Sequence, residues 1–147
     1  MASKPRIVLL VGLPGSGKST WASGKKGVLS SDAVRELLAD DPNNQNIHAR
    51  VFRVIRELLK QRLDLRRPLT YIDATNLRPK ERRPFLKLAD RFDAEIEAVY
   101  FDVTLEECIQ RNRARDRVVP DEVIRMMADR LVPPTVPEGF LSVSVVR

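Results

Sequence analysis

The 147-residue chain has one cysteine, Cys108, and one histidine, His48, so the two side chains most often used to build metal clusters are almost missing. A lone cysteine cannot close an intramolecular disulfide, and with no signal peptide in view this points to a reducing cytoplasm. Aromatic residues make up only 5% of the chain, which leaves few ring faces for stacking against bases. Long apolar runs are also lacking. The longest, Ile7 to Leu13, is interrupted by Gly12 and falls far short of the roughly 20 residues that span a bilayer. Membrane spanning and a disulfide scaffold are thereby excluded.

The composition, 43% apolar and 31% charged, suits a soluble globular protein. A chain of this length buries roughly 68–70% of its unfolded surface and needs only one core, so residues 1–147 read as a single domain. The last expected strand runs to the final residue, so the domain is open to having been cut from a longer chain. A net charge of +6 and a pI near 9.9 favour polyanionic partners, nucleic acid or phosphorylated metabolites.

Hydrophobic periodicity orders the elements. Strands are expected at Arg6–Val11, Gly27–Ser30, Leu69–Asp73, Ile96–Asp102 and Leu141–Val146. Helices are expected at Lys18–Ser23, Asp32–Leu38, Ile47–Leu65, Lys80–Phe92, Leu105–Arg113 and, within Val118–Leu131, beyond Pro120, with a loop at Asp41–Asn46. Strands alternating with helices predict βαβ units, hence an α/β fold with a parallel sheet of about five strands and helices on both faces.

Gly12-Leu13-Pro14-Gly15-Ser16-Gly17-Lys18-Ser19 fits the phosphate-loop pattern G-x-x-x-x-G-K-[ST] between a strand and a helix start. There Gly12, Gly15, Ser16 and Gly17 let backbone N–H groups curl around a β-phosphate. Lys18 adds charge at the β- and γ-phosphates, the Ser19 hydroxyl ligates Mg²⁺, and Thr20 lies near the α-phosphate. The expected ligands are thus ATP or another nucleoside triphosphate, with Mg²⁺ held by Ser19.

Three further clusters bear on where the phosphate goes. Ser30-Ser31-Asp32-Ala33-Val34-Arg35 puts a carboxylate and a guanidinium one helical turn apart on one face, suited to a base and an anion-binding arginine. The plainer alternative is Asp32 or Ser31 as helix N-cap, with Arg35 on a solvated face. Tyr71-Ile72-Asp73-Ala74-Thr75-Asn76 ends a buried strand on an Asp, at the carboxyl edge where open α/β sheets place ligand groups; the alternative is a simple turn. Arg111-Asn112-Arg113-Ala114-Arg115-Asp116-Arg117 reads as a basic lid over a γ-phosphate, or as a solvated helix face.

Taken in order, Gly12 to Thr20, Ser31-Asp32 with Arg35, Asp73 to Asn76, and Arg111-Asn112 with Arg115 and Val119-Pro120 resemble the kinase domain of the polynucleotide 5′-kinase group. These are the P-loop phosphotransferases of phage and bacterial nucleic-acid end repair; Pro134 with Glu138-Gly139-Phe140 also resembles the group's C-terminal pattern. The resemblance implies a P-loop NTPase fold with an Arg-rich lid, transferring the γ-phosphate of ATP to the 5′-hydroxyl end of DNA or RNA. It implies Asp32 as general base, Arg35 on the acceptor's phosphate, Arg115 on the donor phosphates, and Asp73, Thr75 and Asn76 along the active site. The spacing from Arg115 to Pro120 is a residue short of some members, which keeps Arg113 and Arg117 as alternatives.

The arginine row Arg50, Arg53 and Arg56 supports a nucleic-acid acceptor, or is the wet face of an amphipathic helix. A small-molecule kinase and an ATP-binding regulatory module without acceptor are the rival readings. His48 is expected at the surface or in a cap, Cys108 in the core, Phe52 in the core, and Met126 and Met127 in core or lid contacts.

Overall fold

The computed structural model describes residues 3–115 and 119–147. Asp116, Arg117 and Val118 fall outside the described residues, and with them the expectation for Arg117.

Among the described residues five strands form one sheet in the order β2-β3-β1-β4-β5: β1 (Arg6–Val11), β2 (Val28–Ser30), β3 (Leu69–Asp73), β4 (Glu95–Phe101) and β5 (Val143–Val146). Every pairing is parallel. Six helices among the described residues connect them: α1 (Lys18–Ala22), α2 (Ser31–Ala39), α3 (His48–Asp64), α4 (Pro79–Arg91), α5 (Leu105–Arg113) and α6 (Asp121–Arg130). The α/β reading from periodicity therefore holds, with shifts of a few residues at the ends. The expected loop at Asp41–Asn46 closes in a short 3₁₀ turn, Gln45–Ile47. The last helix begins at Asp121, directly beyond Pro120 as expected, because Pro120 has no N–H to extend it backwards and sits at its N-cap.

Strand β1 is apolar on both faces, as a strand covered on both sides must be. Its Ile7 and Leu9 join the core made with Val51, Ile55, Leu59 and Leu63 of α3 and Phe85 and Leu88 of α4. Its Val8 and Leu10 pack on the opposite face with Ala22, Val99 and Phe101. Trp21 stands edge-on to Tyr71 and Phe101 there, at centroid distances of 5.8 and 5.9 Å. A third cluster, with Leu13, Leu77, Cys108, Ile109, Val119 and Ile124, seats α5 and α6 beyond the carboxyl ends of the strands.

Because β1 lies between β3 and β4, the chain winds away from it in both directions, and the crevice opens at the carboxyl end of β1. The register pairs Ser30 of β2 with Asp73 of β3, so the start of α2 lies beside the end of β3.

Candidate functional site

The loop from β1 to α1 is held by contacts that only glycine permits. Gly15 has φ +83°, and a Cβ there would overlap the carbonyl oxygen of Cys108. Gly17 has φ +98° and serves as the N-cap of α1. Side chains are disfavoured at such angles by steric conflict with the backbone. The Gly12 N–H donates to the Thr75 carbonyl at 3.0 Å, tying the loop to the segment after β3.

Lys18 is 8% exposed, and its Nζ donates to the Leu13 carbonyl at 2.8 Å. Burial lowers its pKa from 10.5 to about 8, against the attraction of Asp73 and Asp32. The next residue, Ser19, donates its hydroxyl to Asp73 Oδ2 at 2.9 Å. Asp73 is itself buried, and this raises its pKa although Lys18 and the Ser19 hydrogen bond pull the other way. A hydroxyl and a carboxylate meeting at a phosphate loop fit Mg²⁺, which takes oxygen ligands and keeps much of its shell for water and phosphate. A buried carboxylate still short of positive charge is suited to such a cation. No cluster of three or more His, Cys, Asp or Glu able to hold a metal exists among the described residues.

Across the crevice, the N-cap of α2 is Ser30, whose Oγ accepts from the Ala33 N–H at 3.2 Å. Neither Asp32 nor Ser31 caps the helix. Arg35 is not on a solvated face either; it is 4% exposed, and its Nη1 donates to Asp32 Oδ1 at 3.2 Å. Its Nη2 lies 3.5 Å from His48 Nδ1. His48 opens α3 and its ring sits 4.8 Å from that of Phe52. His48 is exposed at the first residue of α3, as a surface or cap position requires, and Phe52 is half-buried against the core; both also line the crevice, which the sequence did not indicate. Periodicity assigned Phe52 inward because it does pack on the core.

The basic segment divides. Arg111 and Arg115 line the crevice, and Arg111 reaches the Ser16 carbonyl at 3.5 Å. Arg113 points elsewhere and pairs with Asp121 at 2.6 Å. Between them, Asn112 is fully buried and clamps Val119: its Nδ2 donates to the Val119 carbonyl at 2.6 Å and its Oδ1 accepts the Val119 N–H at 3.0 Å. This brings Val119, Val123 and Met127 onto the crevice wall, while Met126 on the same helix is exposed.

The result is one crevice of about 360 Å³ that gathers Gly15, Gly17, Lys18, Ser19, Thr20, Asp32, Arg35, Asp73, Thr75 and Arg115. Gly12 and Ser16 support the loop from behind. Asn76 is a correction: it lies behind the wall, with φ +48° and its Nδ2 donating to the Leu10 carbonyl at 2.7 Å, so it shapes the end of β1 and does not face a ligand.

One buried residue escaped the sequence reading. Arg82 has no exposed surface; it donates from Nε and Nη2 to Glu138 at 2.9 and 3.1 Å, and from Nη1 to the carbonyls of Asn76 and Val132, each at 2.9 Å. It joins the turn after β3 to the exit of α6. Its helical spacing to Phe85 and Ala89 puts it on the buried face of α4, but its partners, 6 to 56 residues away, leave no mark in the local sequence.

No helix among the described residues is long and apolar enough to cross a membrane. A family model described as an AAA domain matches residues 7–134. The L-seryl-tRNA(Sec) kinase of Methanococcus maripaludis is 26% identical over 140 residues; that stretch covers 87% of this chain and 53% of the relative, so the chain spans about half its length. A chain of the Pnkp1/Rnl/Hen1 RNA repair complex superposes with a TM-score of 0.72 at 24% identity, over 89% of this chain and 45% of that one. A gluconokinase from Sinorhizobium meliloti 1021 gives 0.65 at 17% identity, over 99% and 83%. The matched family, the five-stranded parallel sheet and the glycine-bound loop agree: this chain belongs to the AAA domain family and has the α/β fold of the P-loop kinases.

Proposed function

We propose that the chain transfers the γ-phosphoryl group of ATP, or another nucleoside triphosphate, to a hydroxyl, and that the acceptor is the 5′-hydroxyl end of a nucleic acid. The observation that carries the transfer is the placement of the Asp32–Arg35 pair in the same crevice as Lys18 and the Ser19–Asp73 pair. A module that only binds or slowly hydrolyses a nucleotide has no need of a second, buried anion-binding arginine.

In this reading the loop N–H groups and Lys18 hold the donor's β- and γ-phosphates, and Ser19 and Asp73 hold Mg²⁺ with its water. When bound, the ion offsets charge on the phosphates. Asp32 accepts the proton of the acceptor hydroxyl as the O–P bond forms and the bond to the β-phosphate oxygen breaks, releasing the nucleoside diphosphate. Arg35 binds an acceptor phosphate next to the reacting hydroxyl. Arg115, with Arg111 beside it, covers the charge that develops on the transferring group.

The choice of acceptor rests on α3. Arg50 and Arg53 are exposed and Arg56 is half-buried, and none forms an ion pair with a described residue. The helix that carries them starts on the crevice wall at His48, so a polyanion entering the crevice can run along it. The neighbour named for RNA repair supports the same reading, and the relative named as an L-seryl-tRNA(Sec) kinase supports only an acceptor carried on RNA, not a 5′ end. The crevice volume of about 360 Å³ favours the second reading, a small-molecule acceptor, to which the gluconokinase neighbour also belongs.

Incubation with γ-labelled ATP separates the readings: label on a 5′-hydroxyl oligonucleotide is expected, whereas label only on small metabolites, or only free phosphate, overturns it. Asp32→Ala should lose transfer by about 10²–10⁴-fold, the usual contribution of a positioned general base, while ATP binding measured by calorimetry stays. Transfer near the wild-type rate would remove Asp32 as the base.

A further inference from the structure

We propose that His48 is a positioning residue for the acceptor side of the crevice: its neutral imidazole accepts from Arg35 at Nδ1 and holds that guanidinium in the orientation that meets an acceptor phosphate. The inference rests on the reading of Arg35 as the acceptor's anion site.

Three observations carry it. Arg35 is almost completely buried, so its fork is oriented by neighbours more than by solvent. Its two terminal nitrogens go different ways, Nη1 to Asp32 Oδ1 at 3.2 Å and Nη2 to within 3.5 Å of His48 Nδ1. His48 in turn is fixed by its place at the first residue of α3 and by Phe52, one turn on, with ring centroids 4.8 Å apart. One guanidinium is therefore gripped from two helices, α2 and α3, whose contact walls this end of the crevice.

Only a neutral imidazole can accept from a guanidinium, and the neutral ring that accepts at Nδ1 carries its proton on Nε2. The charged groups facing His48 are Arg35 from α2 and Glu81 from α4. Burial first, and then Arg35, lower its pKa from 6.5, while Glu81 acts in the opposite sense. The contact is consequently complete at neutral pH and is lost as the pH falls through that lowered value. An imidazolium beside Arg35 would then push the guanidinium from its place.

As the chain has one histidine, ¹⁵N-labelled imidazole NMR reads His48 alone. The expected spectrum is that of the Nε2–H tautomer with a pKa below 6.5, rising in Arg35→Met. A Nδ1–H tautomer, or a pKa that is the same in wild type and Arg35→Met, overturns the contact. Arg35→Gln is the second variant should Arg35→Met not fold; with no charge beside the ring it should also raise the pKa.

Kinetics then test the role. His48→Leu should raise KM for a 5′-hydroxyl oligonucleotide about tenfold, the scale of one hydrogen bond to a charged group, with kcat and KM for ATP nearly unchanged. His48→Asn, which can place Oδ1 near the position of Nδ1, should restore most of that affinity. His48→Leu should add nothing in the Arg35→Met background. An unchanged KM in His48→Leu, equal damage in His48→Asn, or a full effect without Arg35 overturns the role. Failure of wild type to label the oligonucleotide, or an Arg35→Met variant with unchanged KM, overturns the underlying acceptor reading, and the NMR result still decides the His48–Arg35 contact by itself.

Discussion

Lys18→Met should make the protein more stable while removing its nucleotide binding. The Lys18 ammonium is buried, and its fall in pKa from 10.5 to about 8 already includes the attraction of Asp73 and Asp32. At ~1.36 kcal/mol per tenfold change in proton affinity, the charged form costs the folded state about 3 kcal/mol. Methionine matches the stem without the charge. It forfeits the bond from Nζ to the Leu13 carbonyl, about 1 kcal/mol for an ordinary hydrogen bond, but that carbonyl still accepts the Ser16 N–H at 3.1 Å. The net gain near neutral pH is about 2 kcal/mol, or about 4–8 °C in Tm for a domain of this size.

The pH dependence gives the sharper test. Below pH 8 both folded and unfolded lysine carry the proton and the full cost applies. Between pH 8 and 10.5 the unfolded chain binds more protons than the folded one, so wild-type stability rises with pH. The advantage of Lys18→Met should therefore shrink across that window. Urea denaturation of both proteins through this range measures it. A constant gap, or a wild type more stable than the variant at neutral pH, would refute the argument that Lys18 is held charged against its desolvation.

Two further substitutions probe the frame of the crevice. Glu138→Gln leaves the Arg82 guanidinium buried with its countercharge gone, and should cost about 3–5 kcal/mol in urea unfolding with unchanged m-value; a loss under about 1 kcal/mol would show that the ion pair does not hold the exit of α6. Gly15→Ala sets a Cβ against the Cys108 carbonyl at φ +83°, so ATP affinity by calorimetry should fall at least about tenfold with the cost of strain and a displaced loop. Unchanged affinity would mean that the loop can reshape freely.

How much was legible from the chain differs from element to element. Arg6–Val11 and Leu69–Asp73 were readable to the residue, because strands buried on both faces are continuous apolar runs bounded by turn residues. The helix at Pro79–Arg91 began one residue earlier than its apolar pattern, since proline suits the first helical position. The start of α2 was misjudged between Ser31 and Asp32, because three consecutive residues can cap and only backbone geometry chose Ser30. Phe52 does pack on the core and His48 is exposed, as the helical repeat implies, but the repeat does not tell that this edge of α3 borders a crevice.

The residue order alone determined the phosphate loop, the α/β class and the clusters around Asp32, Asp73 and Arg111 to Arg115, because each depends on neighbours within a few positions. The tertiary structure alone decided that Arg35 is buried against Asp32 and His48, that Asn76 faces inward, that Arg113 turns to Asp121, and that Arg82 bridges Asn76, Val132 and Glu138. Those outcomes depend on which strand ends and helix starts the parallel winding brings together around β1, and no local pattern encodes that meeting.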